Sequence, residues 1–273
     1  MSYFEMKDIV KQYDMRLNKS IFVVDGLPIY LDYRHSNISV DLSGGADSAL
    51  LAYLLINELN KRKQKCTVHL ITHRRLWKTR PWQKPIAKNV FDYLCATNTF
   101  LKTQQPLMNS LVTLVRHTNF IPPLLESVHV KGIDESIIEK YGHRTAENLC
   151  VDEFREVVMF DYDIDMIYNA TTLNPPMPIE GRELSRDKTK IDKLDLLNRD
   201  AKESNPFFYI NKAWIIKQYK DNNILDLLYT TRSCEGGDVK TPANWNGERP
   251  DDCGECFWCG ERHWAMDENN VEH

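Results

Sequence analysis

Residues 40–55, VDLSGGADSALLAYLL, join an apolar segment, a turn with two glycines and a long apolar run without interruption. The pattern predicts a strand over 38–42 and a helix from the turn to about residue 60, because apolar residues recur at helical spacing after the turn. A turn that follows a parallel strand and opens a helix points unpaired backbone N–H groups and the positive end of the helix dipole at one place. We therefore expect the turn to bind an anion, and phosphate is the best fit.

The residue types in the turn suit a phosphate site. Gly44 and Gly45 allow the backbone to approach the ligand closely, and the hydroxyls of Ser43 and Ser48 can donate hydrogen bonds to phosphate oxygens. Asp47 fits either beside a Mg²⁺ ion that neutralises the phosphates or as a cap of the helix. The alternative is a capped turn without a ligand, since glycine and serine are common turn residues. The patterns G-x-x-x-x-G-K-[ST] and G-x-G-x-x-G are absent from the sequence, which excludes the standard P-loop and dinucleotide fingerprints.

The order of the predicted elements indicates a doubly wound α/β fold with a mostly parallel sheet. A second strand over 66–72 follows the first helix at the distance of a strand, helix, strand unit. Residues 20–33 predict a hairpin around the turn at Asp25 and Gly26, preceded by a helical segment near 5–17. The remaining predictions are a strand over 165–169 and helices near 85–96, 107–117, 145–160, 211–219 and 224–228.

Charge and hydropathy restrict the class of partner. The formal net charge of −4 and the pI of about 6.1 disfavour binding to long nucleic acid and favour small-molecule substrates. There is no uninterrupted apolar window of about 18 residues and no secretory pattern at the N-terminus, so we expect a cytoplasmic protein without a membrane role. The length of 273 residues allows one large domain, or one domain with a small appendage.

Four of the seven cysteines lie close together in the sequence near the C-terminus: Cys234, Cys253, Cys256 and Cys259. Four thiolates at this spacing suit a closed tetrahedral Zn²⁺ site, whose expected role is to fold the tail. An iron–sulfur cluster is the competing interpretation, and zinc is favoured because no further cysteine followed by proline lies just downstream. The remaining cysteines are expected to be core residues: Cys66, Cys95 and Cys150.

The sequence resembles a known family at these two motifs. SGGADS is similar to the SGGxDS pyrophosphate loop of the PP-loop ATP pyrophosphatases, which include asparagine synthetase, GMP synthetase, NAD synthetase and tRNA thiolation enzymes. Together with the C-terminal cysteines, it resembles the QueC family, the 7-cyano-7-deazaguanine synthases. YINKAWII at 209–216 and TTRSC at 230–234 are similar to that family's Lys-Ala-x-Ile helix and T-x-S-C segment. The similarity covers residues 38–72 and 206–262.

The resemblance implies an ATP-dependent ligase that adenylates 7-carboxy-7-deazaguanine, uses ammonia to form the amide and then the nitrile, and releases AMP and pyrophosphate. It implies that ATP and Mg²⁺ bind at the loop residues Ser43, Gly44, Gly45, Asp47 and Ser48. It also implies that Zn²⁺ binds the four C-terminal cysteines. The implied organisation is an N-terminal extension over 1–37, a PP-loop ATP-binding domain over 38–230 and a zinc-binding subdomain over 231–273.

The candidate catalytic residues are Asp47, Lys212 and Arg232. The two basic residues are candidates for relieving negative charge at the α-phosphate. The alternative for both is pairing with a surface carboxylate.

The sequence departs from the family in two segments, one after the second strand and one near the expected acceptor site. Residues 72–84, THRRLWKTRPWQK, replace a G-Q-x-H pattern, and residues 168–178, YNATTLNPPMP, replace a D-x-x-x-Y-P-D-C-R region. Three alternatives therefore stay open: a related PP-loop ligase on another acid or stopping at the amide, a PP-loop tRNA-modifying enzyme, and a zinc-stabilised nucleotide-binding module. The expected partners are a deazapurine acid and ammonia, and a homodimer is allowed.

Overall fold

The computed structural model describes residues 20–73, 83–97, 125–127, 140, 153–176, 179, 202–234, 252–254 and 256–273. Its strands are, in chain order, β1 Ile21–Val24, β2 Leu27–Tyr30, β3 Asn37–Asp41, β4 Thr67–His73, β5 Leu125–Ser127, β6 Met166–Tyr168 and β7 Glu203–Ser204. Its helices are α1 Ala46–Arg62, α2 Gln83–Thr97, α3 Lys212–Asp221, α4 Leu225–Thr230 and α5 Phe257–Asp267. Residues 153–161 are helical as well. The protein therefore belongs to the mixed α/β class.

Five of the described strands form one sheet in the order β5-β4-β3-β6-β7. Every neighbouring pair in this sheet is parallel, which confirms the predicted parallel α/β sheet. The strands β4 and β5 are added on one side of β3, and β6 and β7 are added on the other side. The direction of winding therefore changes between β3 and β6. In open parallel sheets, ligands bind beyond the carboxyl ends of the strands at such a switch point.

Helical residues cover both faces of the sheet. Ile38 and Val40 of β3 are fully buried in the main core, which also contains the apolar side of α1. Ile71 and Ile167 point to the opposite face, where they pack with Val158 of the neighbouring helical segment. Strands that are buried on both faces are apolar at nearly every position, which makes them recognisable in the sequence.

The C-terminal helix α5 packs into the same core as α1 and α3, since Ala265 and Met266 belong to that core. Arg262, which is 3% exposed, donates hydrogen bonds to Thr231 Oγ1 at 2.8 Å and to the carbonyl of Leu228 at 3.0 Å. These bonds fasten α5 to the end of α4 and so fix the position of the residues near the start of α5.

The predicted hairpin is present as β1 and β2, an antiparallel pair outside the parallel sheet. Its two turn residues are Asp25 at φ 45° and Gly26 at φ 82°, the positive values that a type I′ turn requires. Ile21, Leu27 and Ile29 are buried in the main core, so the hairpin is packed against the rest of the protein.

Asp32, which follows the hairpin, is the basis of a stability prediction. Its buried carboxylate accepts hydrogen bonds from the Tyr30 hydroxyl and from the guanidinium and backbone N–H of Arg34. The hydrogen bond from the Arg34 side chain is the largest effect that holds the pKa of the Asp32 carboxyl well below its usual range. We expect Asp32→Asn to lower the free energy of unfolding at pH 7 by about 1–3 kcal/mol, as for other hydrogen bonds to charged groups.

The pH dependence of this loss follows from the direction of the pKa shift. A carboxyl with a lowered pKa stabilises the folded state above its unfolded pKa of about 4, and the stabilisation disappears as the pH falls through the folded pKa. The difference between wild type and Asp32→Asn should therefore shrink below about pH 4. Urea unfolding at pH 7 and pH 3 measures it, and an equal difference at both pH values would contradict the assignment.

The other predicted elements agree with the structure where it describes them. The helices expected after the second strand and before the cysteines are α2, α3 and α4. Residues 153–161 are the described part of the helix predicted over 145–160, while the helices predicted near 5–17 and 107–117 lie outside the described residues. Among the helices in the described ranges, none has both the length and the apolar character needed to cross a bilayer.

Candidate functional site

The turn over residues 43–48 leaves the carboxyl end of β3 and opens α1 at the switch point. Its two serines bond to the turn itself. Ser48 Oγ accepts the backbone N–H of Ser43 at 3.1 Å and donates to the carbonyl of Gly45 at 3.2 Å, and the two hydroxyl oxygens lie 3.0 Å apart. The serine hydroxyls expected to contact phosphate thus hold the shape of the loop before any ligand arrives.

Gly44 is the residue in the loop that a side chain would disrupt. Its φ is +77°, and an added Cβ would lie 2.9 Å from the backbone nitrogen of Ala87 and 2.9 Å from Ile86 Cγ2 at the start of α2. Its carbonyl accepts a hydrogen bond from the backbone N–H of Arg232 at 2.9 Å. The loop is therefore packed between α2 and the segment that leads to the cysteines.

We expect Gly44→Ala to lower the free energy of unfolding by about 2–4 kcal/mol, of which about 1–2 reflects the left-handed backbone and the rest the clash with α2. Gly254→Ala is the matched control, because Gly254 has φ +72° but nothing within 4 Å of an added Cβ. The control should therefore cost only the backbone contribution. Chemical denaturation of both variants measures the difference, and equal losses would show that α2 does not press on the loop.

A cleft of about 140 Å³ opens beside the loop. It is lined by Ser43, Gly45 and Asp47 of the loop, by residues 170–172, and by Lys212, Ser233 and Trp258. Residues 170–172 follow β6, so the cleft lies between the carboxyl ends of β3 and β6, as expected for a switch point. Residues 170–172 belong to the segment 168–178, which the sequence places near the expected acceptor site, and the parallel pairing of β3 with β6 brings them to the cleft. Ser233 and Trp258 were not among the predicted site residues.

Lys212 and Asp47, two of the three predicted catalytic residues, meet in this cleft. Lys212 Nζ lies 2.5 Å from Asp47 Oδ2 and 3.9 Å from Glu261 Oε2. The side chains of Lys212 and Glu261 are 2% and 0% exposed, so the lysine does not pair with a surface carboxylate. Lys212 is placed here by the start of α3, where the side chain of Asn211 accepts the N–H of Trp214.

Asp47 does not cap the helix, since the N-cap of α1 is Gly45 and no side chain caps it. Its second carboxylate oxygen, Oδ1, is buried and has no hydrogen-bond partner among the residues that the structure describes. A buried carboxylate oxygen without a donor is a suitable ligand for a cation, so Asp47 fits the Mg²⁺ role expected from the sequence.

Arg232, the third predicted catalytic residue, contacts the loop through its backbone. Its guanidinium Nη1 lies 3.7 Å from Asp252 Oδ2, and both side chains are mostly buried. Arg232 is not among the residues described as lining the cleft. The structure therefore brings Asp47 and Lys212 together and directs the guanidinium of Arg232 toward Asp252.

The four C-terminal cysteines form a compact cluster in which all Sγ atoms lie within 4.8 Å of one another. Sγ of Cys259 lies 3.8 Å from that of Cys253 and 3.5 Å from that of Cys256. A tetrahedral zinc site with Zn–S bonds of about 2.3 Å separates its sulfurs by about 3.8 Å. The cluster could thus hold a metal ion, and its dimensions are consistent with zinc.

The local backbone supports thiolates at this cluster. Cys256 is the N-cap of α5, and its sulfur accepts the backbone N–H of Cys259 at 3.4 Å. The sulfur of Cys253 accepts the N–H of Cys256 at 3.3 Å, and that of Cys234 accepts the N–H of Cys253 at 3.5 Å. Hydrogen bonds with Cys234 and Cys259 lower the pKa of the Cys256 thiol, and hydrogen bonds with Cys234 and Cys256 raise the pKa of the Cys259 thiol, so Cys256 is favoured as the thiolate and Cys259 as the thiol. Deprotonated sulfur is the form that binds metal.

The described cysteines outside the cluster are poor nucleophiles. Burial raises the pKa of Cys66 to about 12 and that of Cys95 to about 11. Both thiols are therefore protonated at neutral pH, and Cys66 is buried while Cys95 packs against the core, in agreement with the core role predicted for them. Cys150 lies outside the described residues.

Comparison with known proteins adds no family assignment, since the sequence matches no protein-family model and no curated protein. The class of protein therefore rests on the fold and the site. It is a mixed α/β protein with a parallel sheet, a glycine-containing loop at the switch point and four clustered cysteines that could hold a metal.

Proposed function

We propose that the protein is an ATP-dependent C–N ligase of the QueC type. The observation that carries this proposal is the position of the SGGADS loop, which lies at the switch point, opens α1 and adjoins the buried ammonium of Lys212. Backbone N–H groups at the start of a helix, the helix dipole and a buried ammonium together favour a polyanion such as the phosphates of ATP.

In this proposal the loop binds the pyrophosphate part of ATP. Gly45 lines the cleft and lets phosphate oxygens approach the loop backbone, whereas Gly44 packs the loop against α2. Lys212 adds a positive charge beside the loop. A bound Mg²⁺ neutralises phosphate charge, and Asp47 is the residue that would hold it through Oδ1. The contribution of the protein is to place the acceptor against the α-phosphate and to stabilise the charge that develops there.

The proposed substrate is 7-carboxy-7-deazaguanine. Its carboxylate oxygen attacks the α-phosphorus of ATP, and pyrophosphate leaves. Ammonia then attacks the acyl carbon, and loss of AMP and a proton gives the amide. In a second cycle the amide oxygen attacks another ATP and pyrophosphate leaves. Loss of AMP and a proton then gives the nitrile. Two activations are needed because neither carboxylate nor amide oxygen is a good leaving group.

The proposal is supported for ATP chemistry by the loop and for structural zinc by the four-cysteine cluster, while the identity of the acid rests on the resemblance alone. The cluster would be a closed site that holds the tail in place, since four sulfur ligands leave no position for water. Thiolation of tRNA is less favoured, because the described lone cysteines are protonated at neutral pH.

The test is to incubate the protein with Mg-ATP, ammonium and 7-carboxy-7-deazaguanine and to follow AMP, pyrophosphate, amide and nitrile by mass spectrometry. We expect AMP and pyrophosphate to form only when the acid is present, with the amide appearing before the nitrile. AMP formed with a different acid would indicate a related ligase. Absence of AMP with every acid tested would contradict the ligase and favour a zinc-stabilised nucleotide-binding module.

A further inference from the structure

Glu261 is a fully buried carboxylate on α5. It is 0% exposed, and its Oε2 lies 3.9 Å from the ammonium of Lys212, which is itself 2% exposed. Lys212 also contacts Asp47, at 2.5 Å. One buried ammonium therefore lies within ion-pair distance of two carboxylates, one from the loop and one from α5.

The contact between Lys212 and Asp47 opposes phosphate binding unless Lys212 exchanges Asp47 for another partner. Among the described residues that line the cleft, Lys212 is the one cation, and its closest contact is Asp47. While that contact persists, the charge of Lys212 is largely neutralised and the carboxylate of Asp47 faces the arriving phosphates. A bound Mg²⁺ on Asp47 removes the conflict, because it takes the carboxylate and leaves the ammonium to the phosphate.

When Mg²⁺ has taken Asp47 and no phosphate has yet bound, Lys212 is buried without its closest counter-ion, which is costly for a buried charge. Glu261 is close enough to remain its partner, since 3.9 Å is within ion-pair distance. Its place is fixed from both sides along α5: Cys259 belongs to the cysteine cluster, and Arg262 is bonded to Thr231 and Leu228.

We propose that Glu261 is a positioning residue that holds the Lys212 ammonium in place when Asp47 releases it and binds a magnesium ion. The binding of magnesium and the binding of phosphate are then coupled. The inference rests on the proposed function, because it assigns the cleft to a magnesium-bound polyphosphate. It predicts that each ligand strengthens the binding of the other, since both depend on the same exchange of partners.

The experiment measures pyrophosphate binding by isothermal titration calorimetry, with and without Mg²⁺, in wild type and in Glu261→Gln. Wild type should bind more tightly with Mg²⁺ present. In Glu261→Gln we expect the affinity for pyrophosphate in the presence of Mg²⁺ to fall by about tenfold or more, which is in the range typical of coupled sites. In the absence of Mg²⁺ the change in affinity should be smaller. Glu268→Gln is the matched control, because Glu268 is exposed at the end of the same helix and should bind like wild type.

Glu261→Asp keeps the charge and shortens its reach by one methylene, so it should recover part of the magnesium-dependent affinity. If the thermal transition shows that Glu261→Gln does not fold, Glu261→Asp replaces it in the test. Wild-type affinity and wild-type magnesium dependence in Glu261→Asp would then overturn the inference. The same result in a folded Glu261→Gln would overturn the inference and leave the proposed function intact. If wild type binds no pyrophosphate with Mg²⁺, the proposed function fails and the inference fails with it.

Discussion

Replacement of Lys212 by methionine is expected to destabilise the protein by about 3–5 kcal/mol, the cost of removing one partner from a buried ion pair. Methionine fills a similar volume but leaves the partly buried carboxylate of Asp47 without the ammonium that it contacts at 2.5 Å. The same change removes the one cation among the described cleft residues, so binding of pyrophosphate should be lost under conditions where the variant is still folded.

Lys217→Met is the matched control, because it makes the same substitution on the same helix. Lys217 is 46% exposed and pairs with Asp25 and Asp221 at the surface, so its replacement should cost less than about 1 kcal/mol. Urea unfolding and pyrophosphate calorimetry on both variants separate the two cases. If the two losses of stability were similar, the Lys212 ammonium would not be acting as a buried partner of the Asp47 carboxylate.

Replacement of Cys259 by serine is expected to reduce metal content and to lower Tm by about 10 °C or more. Cys259 is fully buried, and it lies at the start of α5, the helix that carries Ala265 and Met266 into the core. A structural zinc contributes roughly 10–16 kcal/mol in small zinc domains, so loss of one ligand removes several kcal/mol. Each 1 kcal/mol shifts Tm by about 2–4 °C for a chain of this size.

Cys95→Ser makes the same substitution away from the cluster, on α2, and should keep the wild-type metal content. Elemental analysis identifies the metal, and visible absorption separates colourless zinc from a coloured iron–sulfur cluster. Equal metal content and equal Tm in the two variants would contradict the assignment of Cys259 as a ligand.

The parts of the fold that the sequence predicted well are the parts with local signals. The segment from β3 through the loop into α1 has strand, turn and helix patterns in adjacent residues, and the hairpin turn at Asp25 and Gly26 requires positive φ values that few residues tolerate. The four cysteines were predicted to cluster because their spacing is itself a ligand pattern, and their sulfurs are indeed adjacent.

The parts that it did not predict depend on contacts between distant segments. Strands β5 and β7 have three and two residues, which are too few for an alternating pattern. They adopt strand conformation because they pair with β4 and β6 of the sheet. The contact of Glu261 with Lys212 joins α5 to α3, and no local pattern in either helix indicates it. The direction of the Arg232 guanidinium likewise depends on Asp252, which is distant in sequence.

The hydrogen bond from Arg232 to Gly44 and the contact of Lys212 with Asp47 also determine when the cleft can form. Lys212 lies 165 residues after Asp47, and Trp258 follows later still. During translation the glycine loop leaves the ribosome long before these partners are made. A nascent chain therefore carries the loop sequence without the cleft, and no ligand of the cleft can stabilise folding until α5 has been synthesised.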